Sequence, residues 1–256
     1  MNLELYLRRQ LQSKPITLMT HIIAGYPSLE DNLKELEIMA RHGVDLVEIQ
    51  MPFSEPVADG PLFAEANQLA IRNGMTLDRY FKFMGQVTRS FGFPVLFMGY
   101  YNSVYKMGEQ NFIDHLKESG ACGCIVADLP LEECDELSRR CRQSEQHLIP
   151  LVAPNTPDQR LEAIGKCGSG FVYAVARQGV TGRQTQIDQE LEHYLERCRK
   201  RISLPLGVGF GIRERSDIDR LIGKADLAII GSKVLDTWMN GGAEALDQWL
   251  AGITAG

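Results

Sequence analysis

The sequence predicts an α/β protein: a single-domain (β/α)8 TIM barrel over residues 1–256, with one additional helix at its N-terminus. Eight short apolar runs alternate with eight stretches of helical periodicity from one end of the chain to the other. The runs are apolar on both faces, as parallel strands are when helices cover both sides of their sheet. No shift in composition divides the 256 residues, a length that suits one large domain. Uninterrupted βα units of this number point to a closed barrel. An open doubly wound sheet is the rival. It accounts for the strands, but not for polar and glycine-rich features following so many different strands.

Leu3, Leu7 and Leu11 stand at helical spacing and give the N-terminal helix. Residues 18–25, LMTHIIAG, form the first strand, broken by Tyr26-Pro27. Ser28 then caps a helix with Leu29, Leu33, Leu36 and Ala40 on one side, ending near Gly43. Val44, Leu46, Val47 and Ile49 make the second strand, stopped by Pro52. A helical stretch follows, and then a second piece with Leu77, Tyr80, Phe81, Met84 and Val87. Residues 94–101 are the third strand, and a helix around Phe112 and Leu116 leads to the fourth, 123–130. Leu131, Cys134, Leu137 and Cys141 stripe the next helix, and residues 148–154 are the fifth strand. Thr156 is an N-cap, with Pro157 at the first helical position. The sixth strand, 170–177, is followed by the polar loop QGVTGRQTQ and a helix marked by Ile187, Leu191, Tyr194, Cys198 and Ile202. Residues 205–211 are the seventh strand, trailed by a short helix with Ile218, Leu221 and Ile222. Residues 227–232 are the eighth, and Leu246, Trp249 and Leu250 lie on the closing helix.

Composition narrows the class of function. With 44% hydrophobic and 23% charged residues the chain is an ordinary globular protein. Its net charge of -6 argues against nucleic acid as a partner, and the basic run at 197–201 reads as the exposed face of a helix. No apolar run approaches the roughly 20 residues that span a bilayer, and the mixed charge of the N-terminus is unlike a secretory signal. A cytoplasmic protein is expected, with no membrane partner. The six cysteines, Cys122, Cys124, Cys134, Cys141, Cys167 and Cys198, match no zinc spacing, so buried free thiols and no metal site are expected.

The stretch 47–61, VEIQMPFSEPVADGP, holds three carboxylates: Glu48 in the strand, Glu55 and Asp59 in the loop after it. An acid near the end of an apolar strand is costly unless it is paired or solvated. One interpretation is acid/base chemistry, with Glu48 desolvated enough to carry a proton near neutral pH and Asp59 held ionised. The other is a half-exposed Glu48 and ordinary turn acids between prolines. In a barrel the site sits at the C-terminal strand ends, and the chain's polar features fall there: Glu48 to Asp59 after strand two, Asp128 after four, Tyr173 and the loop 179–182 after six, Gly209-Phe210-Gly211 after seven, Gly231-Ser232 after eight. Glycines after strands seven and eight let backbone amides approach an anion, and a short helix after them would aim its N-terminus at it. Close packing at the strand ends is the alternative use of those glycines. A phosphorylated small molecule is the expected substrate. The loop from Gly179 to Gly182 is either a lid, with Thr181 hydrogen-bonding a carboxylate, or a flexible connector. No nicotinamide fingerprint, Walker loop or H-E-x-x-H occurs.

Together these pieces resemble the tryptophan synthase alpha chain. Glu48 and residues 52–61 match that family's Glu and P-F-S-D-P-x-A-D-G-P; residues 126–130, 177–182, 209–212 and 231–232 match its V-A-D-x-P, R-x-G-V-T-G, G-F-G-I and G-S. The resemblance implies a carbon–carbon lyase of tryptophan biosynthesis that cleaves indole-3-glycerol phosphate to indole and glyceraldehyde 3-phosphate. It implies no cofactor in this chain, and a beta chain partner carrying pyridoxal phosphate in an αββα assembly. By the same resemblance Glu48 protonates the indole ring and takes the hydroxyl proton, Asp59 holds the ring N–H, and Tyr173 packs beside Glu48. Thr181 and Gly179 belong to the lid, and Gly182, Phe210, Gly211, Gly231 and Ser232 to the phosphate site. His21, Tyr100 and Asp128 belong to the indole pocket, and Glu55 to the partner contact. Four positions depart from the pattern: His21 for an aromatic residue, Gln50 for a glycine, Glu55 for an aspartate and Ala64 for a glutamine. A stand-alone lyase releasing indole, a catalytically weak binding subunit that activates a partner allosterically, and another phosphosugar barrel enzyme are the competing expectations.

Overall fold

The structure, a computed structural model, describes residues 1–175, 189–209 and 211–254. Its sheet is wholly parallel and runs, in chain order, β1 (Thr17–Ile23), β2 (Leu46–Gln50), β3 (Val95–Gly99), β4 (Gly123–Val126), β5 (His147–Ile149), β6 (Leu151–Val152), β7 (Val172–Val175), β8 (Leu206–Gly209) and β9 (Leu227–Ile230). The spatial order is β5-β4-β3-β2-β1-β9-β8-β7-β6, so the two ends of the ladder are consecutive in the chain. Only Pro150 separates them, and the barrel closes at that residue. The fifth expected strand is thus two segments. Proline has no N–H to give to a ladder, so pairing with β4 ends at Ile149 and pairing with β7 begins at Leu151.

Strand alternation divides the barrel interior into layers. Met19, Leu46, Leu96, Ile125, Ile149, Phe171 and Ile229 pack together inside it. Leu3 and Leu7, both fully buried on the helix Leu3–Gln10, join that cluster and close one end of the barrel. Asn2 caps this helix by accepting from the Leu5 amide (3.0 Å), and the Leu3 amide donates to Nε2 of His147 (3.1 Å). Two residues further along each strand stand His21, Glu48, Met98, Ala127, Leu151, Tyr173 and Gly231, which line a cavity. The larger apolar cluster lies outside the sheet, between strands and helices.

The helices start largely where the sequence signals them. Ser28 caps Leu29–Arg41 through the Asp31 amide (3.1 Å), and Pro61 opens Pro61–Arg72. Thr156 does otherwise: its hydroxyl accepts from the Ala153 amide (3.0 Å), and the helix Asp158–Cys167 begins after Pro157 without a side-chain cap. The basic run ends the helix Gln189–Arg201, where Arg197 and Arg201 pair with Asp158 at 3.0 and 3.2 Å.

The cysteine expectation needs correction. Cys134 and Cys167 are joined in a disulfide, while Cys122, Cys124, Cys141 and Cys198 are buried free thiols. The helix Cys134–Gln143 starts beside the end of Asp158–Cys167, and Ser138 Oγ donates to the Cys167 carbonyl (2.5 Å). Periodicity within either helix cannot reveal that adjacency. Among the described residues no helix is long and apolar enough to cross a membrane.

Candidate active site

The cavity at the C-terminal ends of the strands has a volume of about 400 Å³, within the range of small-molecule sites. Its walls divide by chemistry. Phe63, Met98, Ile125, Leu151 and Ile230 offer apolar surface; His21, Glu48, Asp59 and Tyr173 bring polar atoms; Gly211, Arg213, Gly231, Ser232 and Lys233 complete the lining. His21 meets Phe63 edge to face, with ring centroids 4.9 Å apart.

Glu48 is 3% exposed, so the half-exposed alternative is excluded. His21 and Glu48 are direct neighbours in the β1/β2 register, and His21 Nδ1 lies 2.9 Å from Glu48 Oε1. The other carboxyl oxygen, Oε2, is buried and has no hydrogen-bond partner among the described residues. A buried carboxyl oxygen left without a donor is costly, and here it belongs to a residue that lines the cavity.

Asp59 is held from below and from the side. Its Oδ2 accepts from Gln50 Nε2 at 2.7 Å and from the Tyr100 hydroxyl at 3.0 Å. The Ala58 amide donates to that same hydroxyl (3.1 Å), and the Tyr100 ring stacks on Phe53 with centroids 5.1 Å apart. Burial pushes the Asp59 carboxyl above its usual range, opposed by the bonds from Gln50 and Tyr100 and by His21. The Tyr173 phenol is driven well above its ordinary value by burial and by the acids Glu48 and Asp59. Tyr173 is therefore neutral at physiological pH.

Gly209 and Gly231 are used differently. A Cβ on Gly209 would lie 2.4 Å from the Tyr173 ring, so that glycine serves close packing. Gly231 lines the cavity, and Ser232 opens the helix Ser232–Thr254, broken at Gly242 (φ 61, ψ −150). The first-turn amides of that helix are free of helical partners and suited to an anion. At the expected short helix, Arg215–Asp219, Asp217 Oδ2 accepts from the Arg213 and Glu214 amides at 2.9 and 3.2 Å, just ahead of the first turn.

Tyr100 reaches the site through Asp59 rather than as cavity wall. Asp128 is exposed, outside the cavity lining, and its Oδ1 accepts from the Tyr101 amide (2.7 Å) where the helix Tyr101–Met107 begins. Glu55 is exposed on the loop beside Val57, itself 70% exposed. Gly179, Thr181, Gly182 and Phe210 lie outside the described residues. Sequence reasoning missed Arg213 and Lys233, two cations lining the cavity, and saw in Gln50 only a departure from glycine, whereas its side chain binds Asp59. Among the described residues no group of three or more His, Cys, Asp or Glu could hold a metal ion.

A family model described as tryptophan synthase alpha chain matches residues 7–250. The chain belongs to the tryptophan synthase alpha chain family. The alpha chain of Syntrophotalea carbinolica is 41% identical over 98% of this chain and 99% of its own length. Among solved structures, tryptophan synthase of Mycobacterium tuberculosis aligns with a TM-score of 0.91 at 26% identity, covering 98% of this chain and 96% of that one. The Pyrococcus furiosus tryptophan synthase a2b2 complex aligns with a TM-score of 0.86 at 31% identity, covering 93% and 97%. Tryptophan synthase alpha chains cleave indole-3-glycerol phosphate.

Proposed function

We propose that this chain cleaves indole-3-glycerol phosphate by a retro-aldol reaction in which Glu48 moves the protons and Asp59 stabilises the charge. The observation that carries this reading is the buried, unpartnered Oε2 of Glu48, in a cavity that also holds Asp59. Protonation of the indole ring at C3 makes the ring an electron acceptor and places positive charge on its N–H. An ionised Asp59 facing that N–H stabilises the charge as it forms. Loss of the glycerol hydroxyl proton to Glu48 then closes the aldehyde carbonyl, and the electrons of the broken carbon–carbon bond restore the aromatic ring. Tyr173, neutral and packed against Gly209, serves as a wall beside Glu48. Amides at Gly211, Gly231 and Ser232 would hold the phosphate, with Lys233 and Arg213 adding positive charge. No cofactor of this chain enters the scheme; pyridoxal phosphate belongs to a beta chain, which would receive the indole in an αββα assembly, with Glu55 and Val57 exposed on the loop that would meet it.

The test is indole release from indole-3-glycerol phosphate by the purified chain, alone and with a tryptophan synthase beta chain added. Slow cleavage that rises with the partner is expected; fast cleavage indifferent to it would make this a stand-alone lyase, and none in either case a binding subunit. Glu48→Gln should lower turnover by at least ~100-fold, the lower range for a general acid/base group. Turnover near that of the unmodified chain would remove Glu48 from its role.

A further inference from the structure

The two positions where the site departs from the family pattern, His21 and Gln50, touch one another. His21 Nε2 lies 2.9 Å from Gln50 Oε1, His21 Nδ1 lies 2.9 Å from Glu48 Oε1, and Gln50 Nε2 lies 2.7 Å from Asp59 Oδ2. All four residues are buried, His21 at 4% exposure and Gln50 at 0%. The arrangement follows from strand geometry: His21 pairs laterally with Glu48, and Gln50 stands two residues beyond Glu48 on the same face. An unbroken line of hydrogen bonds therefore runs Glu48–His21–Gln50–Asp59.

The direction of each bond is determined from the Asp59 end. Carboxylate Oδ2 accepts, so the Gln50 amide must turn its NH2 towards it; the reversed amide would set two acceptor oxygens 2.7 Å apart. Gln50 Oε1 then faces His21 Nε2, which must carry a hydrogen. Only Nδ1 is left to meet Glu48. If neither Nδ1 nor Oε1 held a proton, two buried lone pairs would face each other at 2.9 Å with no donor between them.

We infer that His21 and Glu48 form a carboxyl–imidazole pair that holds one proton on the line between Oε1 and Nδ1, with Gln50 fixing the histidine in the orientation that makes this obligatory. With the proton on the imidazole, Glu48 is a carboxylate whose Oε2 is ready to accept; with the proton on the carboxyl, Glu48 is an acid. A displacement within one 2.9 Å hydrogen bond separates the two states. During turnover a rotation of the carboxyl carries the proton from the line with Nδ1 to the indole carbon, and the hydroxyl proton refills the pair, so the pair holds one proton before and after. His21 acts here through Glu48 as a positioning residue, and this assignment rests on the lyase reading of the site. The other ionisable groups lining the cavity with this pair are Asp59, Tyr173, Lys233, Asp236 and Arg213.

The experiment is 15N NMR of the full chain labelled at histidine, at neutral pH. The chain has five histidines, and the His21 signals are assigned by their loss in His21→Phe. If that variant does not fold, Gln50→Leu, which removes the partner of Nε2 and keeps both acids, assigns them by displacement. A protonated Nε2 supports the inference, with Nδ1 either protonated as well or hydrogen-bonded to an acid. A neutral ring protonated on Nδ1 alone overturns it, whatever the enzymatic result. Activity supplies the second readout: His21→Phe should lower kcat about tenfold, less than loss of the acid/base group itself, while KM stays within about threefold. The pH profile of kcat should also move. An unchanged kcat and pH profile in a folded variant would likewise overturn the relay, and failure of the unmodified chain to cleave the substrate would instead count against the lyase reading.

Discussion

Glu35 shows what a buried carboxyl does when no chemistry employs it. On the helix Leu29–Arg41 it is 2% exposed, and its Oε2 accepts from Asn32 Nδ2 (2.8 Å), whose Oδ1 accepts in turn from the Gly25 amide (2.7 Å). Burial raises its pKa from the ordinary 4.5 to about 8, with the Asn32 bond opposing. The folded chain therefore binds this proton more tightly than the unfolded one, and the associated stability is whole below pH 4.5 and lost as pH rises through 8. Glu35→Gln keeps a carbonyl for Asn32 and removes the ionisation. Thermal melts at pH 5, 7 and 9 should show a gap in favour of the variant that widens with pH, at about 2–4 °C for each kcal/mol recovered. Equal curves at pH 9 would mean that Glu35 is ionised in the fold without cost. At this same scale the sequence was legible for Glu48 and Asp59, because an acid between apolar strand residues needs a reason to be there. It was not legible for Gln50. An amide in a strand is an ordinary polar residue until its partners on the neighbouring strand and loop are known, and those are set by register.

Among elements, β7 and β8 show how a glycine signal divides. Their register sets Tyr173 against Gly207 and Val175 against Gly209, and a Cβ at 209 would fall 2.4 to 2.8 Å from the Tyr173 ring and hydroxyl. Gly209→Ala should cost about 1–3 kcal/mol in urea unfolding, the usual range for overpacking, and should lower turnover by displacing Tyr173. Combined with Tyr173→Ala it should add little further loss, since the clash has gone; an additive penalty would show that the backbone, and not the ring, requires this glycine. Sequence pattern found the strand and its Gly-x-Gly but could not choose between a phosphate amide and a seat for a ring, because the tyrosine lies 36 residues earlier. The surroundings of the expected short helix were hidden for a similar reason. Asp217 folds back on the Arg213 and Glu214 amides, a local bond that competes for the same N–H groups as any anion.

For the whole molecule, the N-terminal helix is the closure of the barrel rather than an appendage. Leu3 and Leu7 meet Met19, Leu46 and Phe171 in the interior, and the His147 ring receives the Leu3 amide, so strands from several parts of the chain depend on one eight-residue helix. Leu3→Ala and Leu7→Ala should each cost about 2–5 kcal/mol in urea unfolding, while KM for the substrate stays nearly constant at low temperature, because neither leucine lines the cavity and only Ile125 and Ile229 of the buried residues in their cluster reach it. A large KM change with little loss of stability would show that the layers are mechanically coupled. The (β/α)8 class was legible from βα alternation; the seam at Pro150 and the bond between Cys134 and Cys167 were not, because the ladder partners of the two halves of one strand and the contact between two successive helices are set by tertiary packing. The layering has a consequence for how such a chain can change. Residues that hold the barrel shut and residues that face the cavity alternate along the same strands, two positions apart, like two texts written on alternate lines. A combinatorial library confined to the cavity rows at 21, 48, 98, 127, 151, 173 and 231 would explore new substrates while the closing row is left as it stands, with apolar residues kept at 98, 151 and 173, which pack on that row.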